Sequence, residues 1–278
     1  MKLKRPLPID RTYEQVENHY LVEKAIADRL KKANREERKE IYATMYDEMF
    51  AKVPDHPRLV IREDSNLTRI GIRSKLDLIT KFINTSTTLL EFAPGDCKFA
   101  MEVARYCRQV YAVDISDQHN ISDKAPDNFR LYIYNGFDFS KIAECSIDLV
   151  FSDQLIEHIH PDDVKEHFQL VNRLLKDGGR YLFRTPHWIN GPCDVSRYFS
   201  DEPQGFHLKE WTYHEINNLV ETTGYSQLKT YWNAKNIVRR MPYHYFAIVE
   251  KMLALFPKKY IGAVARYIVP TVCCVAIK

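Results

Sequence analysis

From about residue 70 the chain changes its period, and that change limits the possible fold more than any other feature. Five short apolar runs appear: TLLEFA (88–93), QVYAVDI (109–115), RLYIYNG (130–136), IDLVFSD (147–153) and GRYLFRTP (179–186). Between them lie DCKFAMEVARYC, a short 116–127 connection, and PDDVKEHFQLVNRLLKDGG. In the last of these, Pro161 sits where a first helical turn accepts it, and Gly178 reads as a C-terminal stop. Strands rich in Val, Ile, Leu and aromatics that alternate with helices argue a mostly parallel sheet covered on both faces.

Upstream, residues 14–53 read as helix. Tyr42, Tyr46 and Phe50 recur at i, i+4 and i+8, with Ile41, Met45 and Met49 as an adjacent stripe. The simplest use of the aromatic stripe is packing of the N-terminal region; the sharper one is a lid over a ligand. The pattern stops at VPDHPRL, where Pro54 and Pro57 mark a linker. Past residue 224 come QLKTYW, an amphipathic stretch over 236–256, and a strand-like TVCCVAIK.

Composition excludes several classes. With 278 residues, 45% hydrophobic and 28% charged, the chain suits one large α/β domain plus an accessory region. A formal charge of +3 with Lys and Glu interleaved reads as a solvated surface, so no nucleic-acid partner is expected. Cysteines 97, 107, 145, 193, 273 and 274 form no CxxC pair, which fits reduced thiols and a cytoplasmic setting. MKLKRPLPID lacks the apolar core of a signal peptide. Arg266 and Pro270 interrupt the apolar 260–278 stretch, so no stable membrane insertion is expected. The 236–256 stretch suits packing beside the sheet or a homodimer contact.

LLEFAPGDCKFA (89–100) is written as strand, loop and helix. A pyrophosphate needs backbone N–H groups in a glycine-lined turn. Here Ala93 and Pro94 occupy the turn, Pro94 has no N–H, and Asp96 adds negative charge. Gly95 alone lets a ligand approach the backbone, so the loop suits a nucleoside without phosphate. Asp114 ends the next strand, where an acidic side chain in such folds accepts both ribose hydroxyls; capping of a following helix is its plainer use. The missing GxGxxG argues against a nicotinamide dehydrogenase, and no (D/N)PP(Y/F/W)-type motif points to a nucleic-acid methyltransferase.

Taken together, Glu91-x-x-x-Gly95, Asp114, NGFDF, IDLVFSDQLIEHI and LLKDGGRYLFRTP resemble the class I S-adenosylmethionine-dependent methyltransferases, over about residues 66–232. The family's loop has Gly at the positions of Ala93 and Cys97, so this loop departs from it. The resemblance implies a Rossmann-like seven-strand sheet, mostly parallel with an antiparallel last strand and helices on both faces. VCCVAIK would lie antiparallel beside QLKTYW. Residues 1–65 would form an N-terminal helical cap and 66–278 the methyltransferase domain, with an inserted helical element at 233–270. Its implied cofactor is S-adenosylmethionine. Glu91, with Ala93, Pro94 and Gly95 in the loop, would face the methionine moiety; Asp114 would hold the ribose and Ile115 the adenine. Gly136, Phe137 and Asp138 sit where the family contacts adenine, and Ser152 and Asp153 end the strand beside the transferred methyl.

The implied activity is methyl transfer to a small-molecule acceptor, at a hydroxyl of a sugar or secondary metabolite. The alternative is a catalytically silent member of the same fold that binds the nucleoside or a partner protein. A hydroxyl must lose a proton as it attacks, and a neutral His suits that task. His207 and His187, in the long TPHWINGPCDVSRYFSDEPQGFHLKEWT segment, are the candidate bases, with His158 and then Asp153 in reserve. His158-x-His160 with Asp162 and Asp163 hints at a metal, but residues two apart on a helix diverge, so no metal ligation is expected.

Overall fold

The structure, a computed structural model, describes residues 1–115, 125–134, 139–234 and 237–278. The expected helix over 14–53 is two helices, Tyr13–Lys32 (α1) and Arg35–Lys52 (α2). Ala33 leaves helical backbone, and the Asn34 carboxamide accepts the Glu36 and Glu37 amides while Glu37 caps Asn34 in return. Such a reciprocal cap starts a new helix even where the apolar period runs on. The expected linker is likewise a helix start. His56 caps Pro57–Glu63 (α3), with Pro57 in its first turn, and Asp64 caps Ser65–Ile79 (α4). Leu78 and Ile79 bury α4 against the sheet.

Among the described residues the sheet has eight strands, numbered along the chain and ordered β3-β2-β1-β4-β5-β8-β6-β7, with the ranges that follow. Thr88–Phe92 (β1), Gln109–Asp114 (β2), Phe129–Ile133 (β3), Ile147–Asp153 (β4) and Leu175–Thr185 (β5) run parallel. Lys98–Val103 (α5) and Pro161–Leu174 (α6) follow β1 and β4. Tyr213–Glu221 (α7) leads to Gln227–Ala234 (β6). Val272–Ile277 (β8) slots antiparallel between β5 and β6, as expected for VCCVAIK.

Two details differ from the sequence reading. The stretch expected to be a helical insertion begins with an eighth strand, Ile237–Met241 (β7), paired antiparallel with β6. It is an edge strand, with exposed Arg239 and Arg240 suited to a rim that has no further partner. Helices Tyr243–Leu253 (α8) and Lys258–Ile268 (α9) follow it. In addition, α6 stops at Leu174, and Leu175 is already extended. Gly178 therefore serves a bulged entry into β5 rather than a helix end, at φ +74°, where a side chain is strained.

Two apolar layers follow from the period of two along the strands. Leu90, Phe92, Val150, Tyr181 and Phe183 face α6 to α9, and Leu89, Val110, Phe151, Leu182 and Val275 face α4 and α5. α1 and α2 make their own core with Phe206 and Leu208, across the C-terminal ends of β2 and β4. Among the described residues, no helix is long and apolar enough to cross a membrane.

Candidate functional site

The loop after β1 carries the site's first half. Ala93, Gly95 and Cys97 have φ of 52°, 60° and 53°. The two non-glycine members stand where the family resemblance expects glycine, so the loop keeps a glycine-type backbone at roughly 1–2 kcal/mol per left-handed residue. Ala93 N–H donates to Val113 O (2.9 Å), tying the loop to β2, and Asp96 accepts the Lys98 amide (3.2 Å) at the start of α5.

Beside this loop lies a cavity of about 340 Å³. Ala93, Asp114 and Ile115 form its floor, Tyr134 and Leu155 its sides, and Tyr42, Met45 and Tyr46 its roof. Asp114 is buried, and its carboxylate accepts the Ile115 amide (2.7 Å). The aromatic stripe of α2 is thus a cover over the cavity as well as core packing. A buried ion pair holds the cover down: Arg38 on α2 makes two bonds to Asp163 on α6, at 2.8 and 2.6 Å, and Arg35 reaches Glu166 at 2.5 Å. Tyr42 Oη accepts the His160 amide (2.8 Å).

Glu91 lies two residues before Ala93, on the side of β1 that packs against α4, and is 1% exposed. Lys75 Nζ is 3.5 Å from Oε1, while Oε2 is buried without a hydrogen-bond partner among the described residues. Burial, only partly offset by Lys75, pushes its pKa up to about 7.

A second cavity, of about 320 Å³, abuts the first through Tyr46 and His158. His19, Glu23 and His56 of the N-terminal region line one wall, and Asp194, Arg197 and His207 the other. Glu23 accepts from His19 (2.8 Å) and from the Phe206 amide (3.1 Å). Burial opposes its charge, yet these bonds hold its carboxyl far below the usual range. Leu208 N–H donates to Glu157 O (2.8 Å), which brings His207 against His158, with ring centroids 5.0 Å apart. His158 Nδ1 donates to Phe206 O (2.9 Å), so Nε2 carries the lone pair; it is buried and has no partner among the described residues. Burial, and the charge of His207, drop the His158 pKa well below 6.5. His207 Nδ1 faces Glu210 Oε1 at 2.9 Å. Burial lowers the His207 pKa, but Glu210, Glu157 and Asp194 outweigh it and raise it.

The structure thus brings His207 and His158 together and separates the other candidates. His187 is buried away from both cavities, its Nε2 2.7 Å from Glu250 on α8 and its Nδ1 accepting the Ile189 amide. Its place just past β5 made it look close to the site, but the segment turns it into the packing beneath α8. Asp153 is clamped by two 2.7 Å bonds from Arg184. Burial would raise its pKa, but that guanidinium holds it below the usual carboxylate range, which weakens it as a base. Ser152 is spent on Tyr181, 2.8 Å away inside the sheet. His158 sits in the turn before α6 rather than in a helix, and His160 caps α6. Gly136, Phe137 and Asp138 lie outside the described residues. The sequence reading missed Glu23, His56, Glu210 and the Arg38–Asp163 pair; an acid four residues after His19 on one helix face was the one legible sign.

The comparisons agree with this architecture. Residues 90–183 match the family model of a methyltransferase domain. A putative methyltransferase in complex with the Haloferax volcanii Trm112 methyltransferase activator is 14% identical; the alignment covers 76% of this chain and 90% of that one, with a TM-score of 0.54. A SAM-dependent methyltransferase from Archaeoglobus fulgidus is 12% identical over 80% and 100% of the two chains, with a TM-score of 0.53. Phosphoethanolamine N-methyltransferase 1 of Haemonchus contortus, in complex with phosphoethanolamine and S-adenosylhomocysteine, is 17% identical over 66% and 40%, with a TM-score of 0.50. No protein of curated function matches the sequence.

Proposed function

We propose that the chain, whose residues 90–183 match the family model of a methyltransferase domain, is a class I S-adenosylmethionine-dependent methyltransferase that methylates a hydroxyl of a small molecule held in the second cavity. The observation that carries this reading is the meeting of two cavities at His158 and Tyr46. One has an acidic, aromatic lining suited to a nucleoside, and the other has cationic and anionic side chains suited to a polar acceptor.

The residues fit the cofactor. Asp114 offers its carboxylate to the ribose, and Ile115, Tyr134 and Leu155 offer apolar faces to the adenine. Ala93, Pro94 and Gly95 shape the backbone on which the methionine moiety rests, and the orphaned Glu91 Oε2 is suited to its ammonium group. When bound, S-adenosylmethionine supplies an electrophilic methyl on a sulfonium. The protein's own task is to align the acceptor oxygen and take its proton. His207, with Nδ1 donating to Glu210, keeps Nε2 for that proton, and its raised pKa strengthens it as a base. Arg197 and Arg11 on the cavity wall orient polar groups of the acceptor. The α1–α2 cover, pinned by Arg38–Asp163, excludes water from the first cavity.

The test is incubation with methyl-labelled S-adenosylmethionine and a panel of polyhydroxylated compounds, with products read by mass spectrometry. Transfer to a hydroxyl compound is expected, with His207→Gln lowering kcat by about 10²–10⁴-fold at unchanged cofactor affinity. Labelling confined to protein or nucleic acid refutes the reading.

A further inference from the structure

His158, at the boundary of the two cavities, His207, on the wall of the second, and Glu157 beside them each bring one atom close to the others. Glu157, His158 and His207 are all buried, and one ligand-type atom from each lies within 4.8 Å of the others. What distinguishes the cluster is how the remaining atoms are used. Glu157 Oε2 accepts the Thr185 hydroxyl (2.9 Å), leaving Oε1 buried and unpartnered. His158 Nδ1 donates to Phe206 O, leaving Nε2 buried and unpartnered. His207 Nδ1 is engaged by Glu210, leaving Nε2. An outer hydrogen bond that fixes the ring and turns the other nitrogen inward is the usual support of a metal-binding His. Glu210 is itself fixed by the Cys193 amide (2.6 Å).

The other His and Glu cluster serves as a contrast. His19 Nε2 donates to Glu23 Oε1, His56 Nε2 stands 3.7 Å from the same oxygen, and Arg11 occupies His19 Nδ1. Those groups satisfy one another and leave nothing for an ion. In the Glu157 cluster, by contrast, Glu157 Oε1 and His158 Nε2 are buried with no hydrogen-bond partner among the described residues. Buried polar atoms left so cost stability unless a ligand completes them.

We propose that Glu157, His158 and His207 bind a divalent transition-metal ion such as Zn²⁺, with open coordination positions facing the second cavity. Two imidazole nitrogens and one carboxylate oxygen form a ligand set of borderline softness, suited to Zn²⁺, Mn²⁺, Fe²⁺ or Co²⁺ rather than to Mg²⁺ or Ca²⁺. Bond lengths of about 2.0–2.2 Å place the ligand atoms of such an ion roughly 3.3 Å apart, so small side-chain rotations close the set. This deepens the proposed function, on whose acceptor cavity it rests. The ion would hold the acceptor oxygen and acidify its hydroxyl, whose proton would pass to water in the second cavity; His207 Nε2 would then be a ligand rather than the base.

The experiment uses the full chain, stripped with a chelator and titrated with Co²⁺ and then Zn²⁺, with S-adenosylmethionine affinity measured by calorimetry in both states. One equivalent of Co²⁺ with visible d–d bands is expected, displaced by Zn²⁺. Glu157→Gln and His207→Gln should each weaken it by about 100-fold or more, Glu210→Gln by about 10- to 100-fold, and His160→Gln not at all. Circular dichroism melts check that the variants fold. Wild-type crystals soaked in Zn²⁺ should give an anomalous peak at the three ligand atoms. Absence of saturable binding, a peak only elsewhere, or binding indifferent to Glu157 and His207 overturns the proposal. Cofactor affinity is read separately, so failure of the ion site and failure of the cofactor site are told apart.

Discussion

Replacing Glu91 by Gln should make the free protein more stable and the cofactor weaker at once. In the folded chain this carboxyl keeps its proton up to about pH 7, whereas its ordinary value is 4.5. Across that window the unfolded chain binds fewer protons than the folded one, so the wild type loses stability as pH rises from about 4.5 to about 7. At about 1.36 kcal/mol per unit, the step from 4.5 to about 7 amounts to roughly 3 kcal/mol. Glu91→Gln keeps the shape and removes the ionisation. It also gives up the Lys75 contact, whose ammonium is 24% exposed and can turn to water. The net gain at about pH 8 should be about 1–3 kcal/mol, read as the difference in urea unfolding free energy from wild type. Near pH 4 the two proteins should differ little. The difference is the quantity to follow, because burial raises Glu157 to about 7 as well and it contributes its own slope. The same substitution should weaken S-adenosylmethionine by about 10- to 100-fold, the cost of a charged acceptor in a buried site. No stability gain at about pH 8 would show that Glu91 is ionised and solvated, and unchanged cofactor affinity would remove it from the site.

Other substitutions probe different parts. Asp114→Ala should weaken S-adenosylmethionine by about 10- to 100-fold in calorimetry; unchanged affinity would detach Asp114 from the ribose. Asp163→Ala leaves the Arg38 guanidinium buried without its partner and should cost about 3–5 kcal/mol in denaturant unfolding. The double change Arg38→Met with Asp163→Ala should restore most of it, and if it costs as much as the single change the pair is not the reason. Gly191→Ala would put a Cβ 1.6 Å from Glu210 Oε2, displacing the carboxylate that holds His207. Turnover should fall far more than cofactor affinity, and equal losses would refute that link. His187→Ala should cost about 1–3 kcal/mol of stability through Glu250, with kcat kept in the protein that remains folded.

The sheet and the loop were legible in the order of the amino acids. Continuous apolar runs that alternate with helices argue a parallel sheet with two covered faces, and β4 was legible to its ends because both of its faces are buried. The loop at Ala93–Cys97 was legible as a glycine-type turn with two glycines missing, although only the backbone shows that Ala93 and Cys97 adopt the left-handed conformation regardless. Helix ends set by side-chain caps, at Asn34 and His56, were written in the sequence but masked by an apolar period that runs through the first and by prolines that read as a linker at the second. Tertiary structure alone decided which histidines share a site. His158 meets Phe206, 48 residues away, and Arg38 meets Asp163, 125 residues away; neither contact has a periodic signature. A histidine just past a strand end, as His187 is, looks catalytic in sequence. Whether a ring turns into the packing under α8, as that of His187 does, or toward the cavity, as that of the loop residue His207 does, depends on the carboxylate the fold places beside it.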